Sequence, residues 1–190
     1  MELYFATGNK HKLQEATRIL GSRSEVKVLS YDGPEPIESG VSFLENALIK
    51  ARAGFVETGK PVFADDSGIA VEVMNGAPGI FSAIWSGTRS DESNRELLLA
   101  QLRDIPDEHR QAAFICTIAL VDENGEMSFT GIWPGRVSRH AAGENGFGYD
   151  PVFIPQGFKV TAAELEPEVK SSISHRAMAL QQMADYLSKL

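Results

Sequence analysis

An apolar strand that runs into a hairpin constrains this chain more than any other feature. Ala113 to Val121 reads as a strongly apolar strand, and Asn124-Gly125 turns it into a partner strand from Met127 towards Trp133. Elsewhere strands alternate with helical patterns, and that order calls for crossover connections. A hairpin and crossovers in one chain predict an α/β fold with a mixed sheet. No repeat, low-complexity tract or linker interrupts the pattern. Residues 1–190 are therefore expected to form a single domain, long enough for one core or for two lobes.

The other elements follow from periodicity and punctuation. Glu2 to Ala6 reads as a short strand, followed by a helix with Leu13, Ala16 and Leu20 on one face. Tyr31 to Gly40 is a turn-rich link. Ser42 and Glu45 form a capping box for a helix whose buried stripe is Phe43, Leu44, Ala47, Leu48 and Ala51, ending at Gly59-Lys60-Pro61. Pro61 to Ala64 and Ile69 to Val73 read as strands joined by an acidic turn, Asp65-Asp66-Ser67-Gly68. Asp91 is expected to cap a helix reaching Leu102. A long loop spans Gly143 to Pro151, and Ser174 caps a last helix that buries Ala177, Leu180, Ala184 and Leu187.

Charge and cysteine content exclude several classes. A net charge of −8 argues against a nucleic-acid polymer as partner. A small anion remains compatible, given local cations, backbone amides and a divalent metal. No apolar stretch approaches the roughly 20 residues of a membrane helix, and Met1 to Tyr4 lacks a secretory pattern. The one cysteine, Cys116, excludes an internal disulfide or a multi-cysteine zinc site and reads as a buried thiol. No membrane partner and a cytoplasmic location are the resulting expectations.

Thr7-Gly8-Asn9-Lys10-His11-Lys12 carries chain from a strand end to a helix N-terminus, where amides and the helix dipole favour an anion. The spacing is not that of a Walker A loop. Asp65 and Asp66, with Glu35 and Glu38 upstream, place carboxylates where a magnesium ion would relieve their repulsion, and one of them can activate water. If extended, residues 65 and 66 face opposite ways, so only one is central. A plain acidic turn is the competing explanation. Phe147 and Tyr149, set among Gly146, Gly148 and Asp150, offer a ring to a nucleobase or simply pack on the core. Lys170, His175 and Arg176 bring cations to the last helix, where an anion or a surface carboxylate must offset them. His11, His109 and His140 show no ligand spacing, and Lys50 and Arg52 read as a solvated helix face.

In this order the motifs resemble the inosine-triphosphate pyrophosphatase family, whose members remove purine nucleoside triphosphates such as ITP, dITP and XTP. The resemblance spans essentially the whole chain. It rests on Thr7-Gly8-Asn9 with Lys12, Ser42 to Ala47, Ala64 to Gly68, Gly76 to Gly79 with Ser82-Ala83, Gly146 to Pro151 and Ile173 to Arg176. It implies an elongated, two-lobed α/β fold around a long twisted mixed sheet, with a nucleotide cleft between the lobes. It also implies a homodimer, a magnesium requirement, and water attack at the α-phosphorus with pyrophosphate leaving. By position, Thr7, Gly8, Asn9, Lys10, His11 and Lys12 would hold the triphosphate. Glu38 and Asp66 would serve the metal, Asp66 would also accept the proton, and Ser67 would contact substrate. Phe147, Gly148, Tyr149 and Asp150 would line the base pocket, completed by Lys170, His175 and Arg176.

The chain departs from the family pattern in two places. Arg139 to Gly143 lacks the Pro-Arg-Gly that many members carry, and Ser171 stands where an asparagine commonly follows the lysine. Two rivals share these motifs: a pyrophosphatase for pyrimidine or modified nucleotides, and a nucleotide-binding regulator without turnover.

Overall fold

The computed structural model describes residues 1–23 and 26–189. In chain order the elements are β1 (Glu2–Phe5), α1 (Lys10–Arg23), β2 (Lys27–Ser30), α2 (Phe43–Thr58), β3 (Val62–Val71), α3 (Asp91–Gln101), β4 (Gln111–Asp122), β5 (Gly125–Val137), β6 (Phe153–Pro155), α4 (Pro167–Ile173) and α5 (His175–Leu187). The strands form a six-stranded sheet in the order β2-β1-β3-β4-β5-β6. β1 pairs in parallel with β2 and β3, whereas β5 and β6 are antiparallel, so the sheet is mixed as the hairpin and crossovers predicted. Among the described residues no helix is long and apolar enough to cross a membrane.

The chain divides into two compact units. The first contains the chain through Asp66, Cys116–Gly131 and the chain from His175 onward. Its strands are covered on both faces, and the alternation of strand side chains decides which residue meets which helix. On one face Leu3, Phe5, Phe63, Cys116 and Ile118 pack with Ala16 and Leu20 of α1 and with Ala177, Leu180 and Met183 of α5. Phe5 and Phe63 stack with centroids 4.2 Å apart. On the other face Ala6, Val62, Ala64, Ala119 and Val121 meet Ala47 and Ala51 of α2. Small residues there let the helix backbone lie close to the sheet. Each fully buried Leu or Phe contributes about 1.5–3 kcal/mol, so this double layer is the main support of the unit.

The second unit contains Ser67–Ile115 and Ile132–Ser174. Phe114 meets Phe153 edge-on at 4.6 Å, and Trp133 lies 5.4 Å from Phe153. Arg110 is buried there and donates to the carbonyls of Val137 (3.0 Å), Ser138 (2.6 Å) and Leu102 (2.5 Å).

Several local expectations change. The acidic segment 65–68 is not a turn: it lies inside the continuous strand β3, because its carboxylates are compensated by distant partners. Ser90, not Asp91, caps α3, accepting the Ser93 amide at 3.3 Å; its hydroxyl precedes the first helical residue. Ser42 accepts the Glu45 amide as predicted, but the Glu45 carboxylate returns to the Val41 amide instead of that of Ser42. Leu44 is exposed, and the buried stripe of α2 runs through Asn46, Ala47, Ala51 and Gly54. The short elements β2, β6 and α4 were not anticipated. Gly59 ends α2 in the left-handed region, at φ 62°, as its position after the helix suggested.

Candidate active site

Strand β3 places Asp65 and Asp66 on opposite faces within the first unit. Asp65, 1% exposed, is met by Lys12 of α1 at 3.0 Å and by Arg176 of α5 at 3.1 Å. Glu15 reaches the same guanidinium at 3.4 Å, and the Cys116 thiol lies 3.8 Å from the Asp65 carboxylate. Burial alone would push the Asp65 carboxyl up, but the cations of Lys12, Arg176 and Lys50 outweigh it and hold the group well below the usual carboxylate range. Burial likewise opposes the Arg176 charge, and Asp65 and Glu15 more than offset it.

On the opposite face Asn46 of α2 donates to Asp66 at 3.0 Å. One turn further along α2, Lys50 pairs with Glu38 at 2.5 Å. Burial pushes the Asp66 carboxyl up; Lys50 and the Asn46 hydrogen bond oppose this, while Glu38 and Asp65 add to it. The Lys50 ammonium loses solvation yet is raised overall by Asp65, Glu38 and Asp66. Lys50 is thus no solvated surface lysine, and sequence reasoning missed it together with Asn46. Their spacing of four residues, one turn of the α2 face turned to β3, is the signal that was present.

The segment before α1 is folded on itself. Asn9 caps the helix, its side-chain oxygen accepting the amides of His11 (2.9 Å) and Lys12 (3.2 Å), while Thr7 accepts the Asn9 amide at 3.2 Å. The Gly8 amide donates to a Glu35 carboxylate oxygen at 3.0 Å. An acidic oxygen therefore already sits on the amide that the sequence suggested for an anion. The Lys10 and His11 side chains are exposed, whereas Lys12 turns inward to Asp65. A cavity of about 300 Å³ opens beside this segment, lined by Thr7, Gly8, Asn9, Lys10, Glu35 and Lys50 among others.

In the second unit the loop before β6 carries Phe147 to Asp150. Phe147 is exposed, with the Lys170 ammonium 5.2 Å from its ring centre. Tyr149 is buried and its hydroxyl donates to the Ser82 carbonyl at 2.8 Å, so of the two rings it is the packed one. Asp150 accepts the Phe147 amide at 2.8 Å and Lys170 at 2.5 Å. Gly148 is held on both sides, its amide donating to Asp91 at 2.8 Å and its carbonyl accepting from Arg95 at 2.7 Å. Ser67 is half-buried in β3, and His175 is buried at the start of α5. Of the departures noted above, Arg139 pairs with Asp107 at 2.6 Å.

Among the described residues no three His, Cys, Asp or Glu side chains gather into a metal-binding group. Magnesium asks for less: one or two carboxylates, with waters and substrate phosphates completing its shell. Glu38 and Asp66 supply hard oxygen donors of that kind, and Glu38 is one of the charges that raises Asp66, which a cation would relieve. The donor set fits a hard divalent cation.

The chain is 50% identical over 193 residues to a dITP/XTP pyrophosphatase of Leifsonia xyli, covering 100% of this chain and 97% of the relative. It is 49% identical to the crystal structure of a nucleoside-triphosphatase / dITP/XTP pyrophosphatase from Mycobacterium abscessus, with a TM-score of 0.80 and 96% and 98% of the two chains covered. A HAM1 protein from Coxiella burnetii superimposes with a TM-score of 0.92 at 38% identity, covering 100% of both chains. Residues 3–186 match the Ham1 family, and the chain belongs to it.

Proposed function

We propose that this protein hydrolyses non-standard purine nucleoside triphosphates, dITP, XTP and ITP, to the monophosphate and pyrophosphate, removing them from the nucleotide pool. The observation that carries the reading is Asp66: a desolvated carboxylate, oriented by Asn46 and flanked by Glu38 and Lys50, on a strand whose other face is closed by ion pairs. The relatives named dITP/XTP pyrophosphatase support the substrate class.

In this mechanism Asp66 accepts a proton from the attacking water, whose oxygen bonds to the α-phosphorus as the bond to the β-bridging oxygen breaks. Pyrophosphate leaves with that bond's electron pair. Glu38 and Asp66 would hold Mg2+, which supplies charge neutralisation for the phosphates when bound. Thr7, Gly8, Asn9, Lys10, His11 and Lys12 take the triphosphate, with Gly8 exchanging Glu35 for a phosphate oxygen, and Ser67 contacts substrate. Phe147 stacks on the base, with Gly148, Tyr149 and Asp150 forming the rest of that loop and Lys170 beside it. Arg176 or His175 donates to the 6-oxo group. Such a donor matches hypoxanthine and xanthine and meets another donor in the adenine amino group. Residues 1–190 act as one catalytic domain, in a cytoplasmic homodimer.

The test is a panel of ITP, dITP, XTP, dTTP, UTP and ATP with Mg2+, with products identified. Preferential turnover of ITP, dITP and XTP to monophosphate and pyrophosphate is expected. Preference for dTTP or UTP would remove the purine assignment, and release of diphosphate plus phosphate would move the attack to the γ-phosphorus.

A further inference from the structure

Two residues outside every motif considered so far hold the aromatic loop. Asp91 and Arg95 lie four residues apart on α3, so both project from one side of the helix. The Asp91 carboxylate accepts the Gly148 amide at 2.8 Å, and the Arg95 guanidinium donates to the Gly148 carbonyl at 2.7 Å. Both hydrogen-bonding groups of one loop residue are thereby tied to a single helix. Gly148 has φ +59°, a conformation that favours glycine, and the chain turns there between Phe147 and Tyr149. On the neighbouring residues Asp150 holds the Phe147 amide, and Tyr149 is anchored through its hydroxyl to Ser82.

The result is an exposed ring on an immobilised backbone. Phe147 is 41% exposed although the peptides around it are fixed. Charge-assisted hydrogen bonds to backbone are among the stronger neutralising contacts a loop can receive. Their use here stiffens the one aromatic of the loop that faces outward, which suits a stacking surface that must not collapse onto the core.

We propose that Asp91 and Arg95 are positioning residues for base recognition: by clamping the Gly148 peptide they fix the Phe147 ring for stacking against a purine. They act through the loop and do not touch the nucleotide. The inference rests on the reading that Phe147 to Asp150 receive the base. It separates two kinds of affinity, since ligands carrying a base depend on the clamp and bare phosphates do not.

Product inhibition reads that separation in the full-length enzyme, with inosine monophosphate and inorganic pyrophosphate as the two probes. Arg95→Met and Asp91→Ala are expected to raise KM for ITP and the inhibition constant of inosine monophosphate about tenfold, the scale of one charge-assisted hydrogen bond. Saturating kcat and inhibition by pyrophosphate should stay within about twofold of the parent. Asp91→Asn keeps an acceptor oxygen for the Gly148 amide and should restore inosine monophosphate binding. Arg95→Lys keeps a donor and provides a second variant should Arg95→Met fold poorly. Equal weakening of both products, or unchanged inosine monophosphate binding in an enzyme that hydrolyses ITP, overturns the clamp. A parent enzyme that neither hydrolyses ITP nor binds inosine monophosphate overturns the nucleotide reading, and the clamp with it.

Discussion

Neighbouring carboxylates on β3 live in opposite worlds. On the α1 and α5 face, Asp65 is surrounded by Lys12 and Arg176, and its charge is held by them. On the α2 face, Asp66 loses solvent without comparable compensation and sits near a second carboxylate, Glu38. A carboxylate locked between cations is a poor proton acceptor, because its charge is already stabilised. One left desolvated and flanked by another acid has a raised proton affinity and a reason to bind a metal. One residue of strand register thus separates a structural anchor from a candidate base.

The sharpest way to break that division is to neutralise each carboxylate in turn. Asp66→Asn retains an oxygen to accept the Asn46 amide, so folding should survive, with a melting temperature equal to or above the parent's. Its kcat for ITP should fall roughly a thousandfold, within the range of a lost general base. Turnover near the parent value would move the base elsewhere. Asp65→Asn should act first on stability, and on activity only through the placement of Lys12 and Arg176. It leaves Lys12 and Arg176 facing a neutral amide in a buried setting, a loss of about 3 kcal/mol or more in denaturant unfolding. An unchanged unfolding midpoint would mean that those ion pairs contribute no net stability.

Lys50 tests how the α2 face is organised. It lies close enough to Asp66 and Glu38 to oppose the rise of one and pair with the other. Lys50→Met should lower kcat/KM for ITP about tenfold, the scale of one charged hydrogen bond, with a small change in stability. A stability loss as large as that of Asp65→Asn, with kcat/KM preserved, would place Lys50 among the anchors.

How much of this was legible in the residues follows from the range of the interactions. The apolar faces of α1 and α5 repeat locally, and their periodicity revealed them. The Asn124-Gly125 hairpin and the Gly59 helix end were readable for the same reason. Asp65-Asp66-Ser67-Gly68 was misread because its composition is that of a turn, while the groups that let it extend through a buried strand come from far away. Lys12 lies 53 residues from Asp65 and Arg176 lies 111 residues away. No local pattern announces such pairs. A lysine on a helix is ordinarily solvated, so local sequence gives Lys50 no mark, and apolar periodicity cannot reveal a polar residue on the buried face of α2. Asn46 shows that the buried face of α2 includes a polar group serving a carboxylate. The motifs did place Asp66 and the aromatic loop in view, but not the Asp91 and Arg95 contacts that hold the loop.

Cys116 reports on the closed face with the smallest effect on function. Its thiol is buried against Asp65, and desolvation first, then the Asp65 charge, push its pKa up to about 12. Burial thus removes both solvent access and the thiolate that reacts with alkylating agents. A thiol reagent at mildly alkaline pH should label the native protein only through opening of this face, and should label denaturant-unfolded protein readily. Because Asp65→Asn loosens the ion pairs beside the thiol, it should speed native-state labelling by the same factor as it increases the population of open molecules. Asp66→Asn, acting on the other face, should leave the labelling rate near that of the parent. Equal acceleration by both substitutions would show that the two faces of β3 open together, and the contrast between the neighbouring aspartates would then concern chemistry alone.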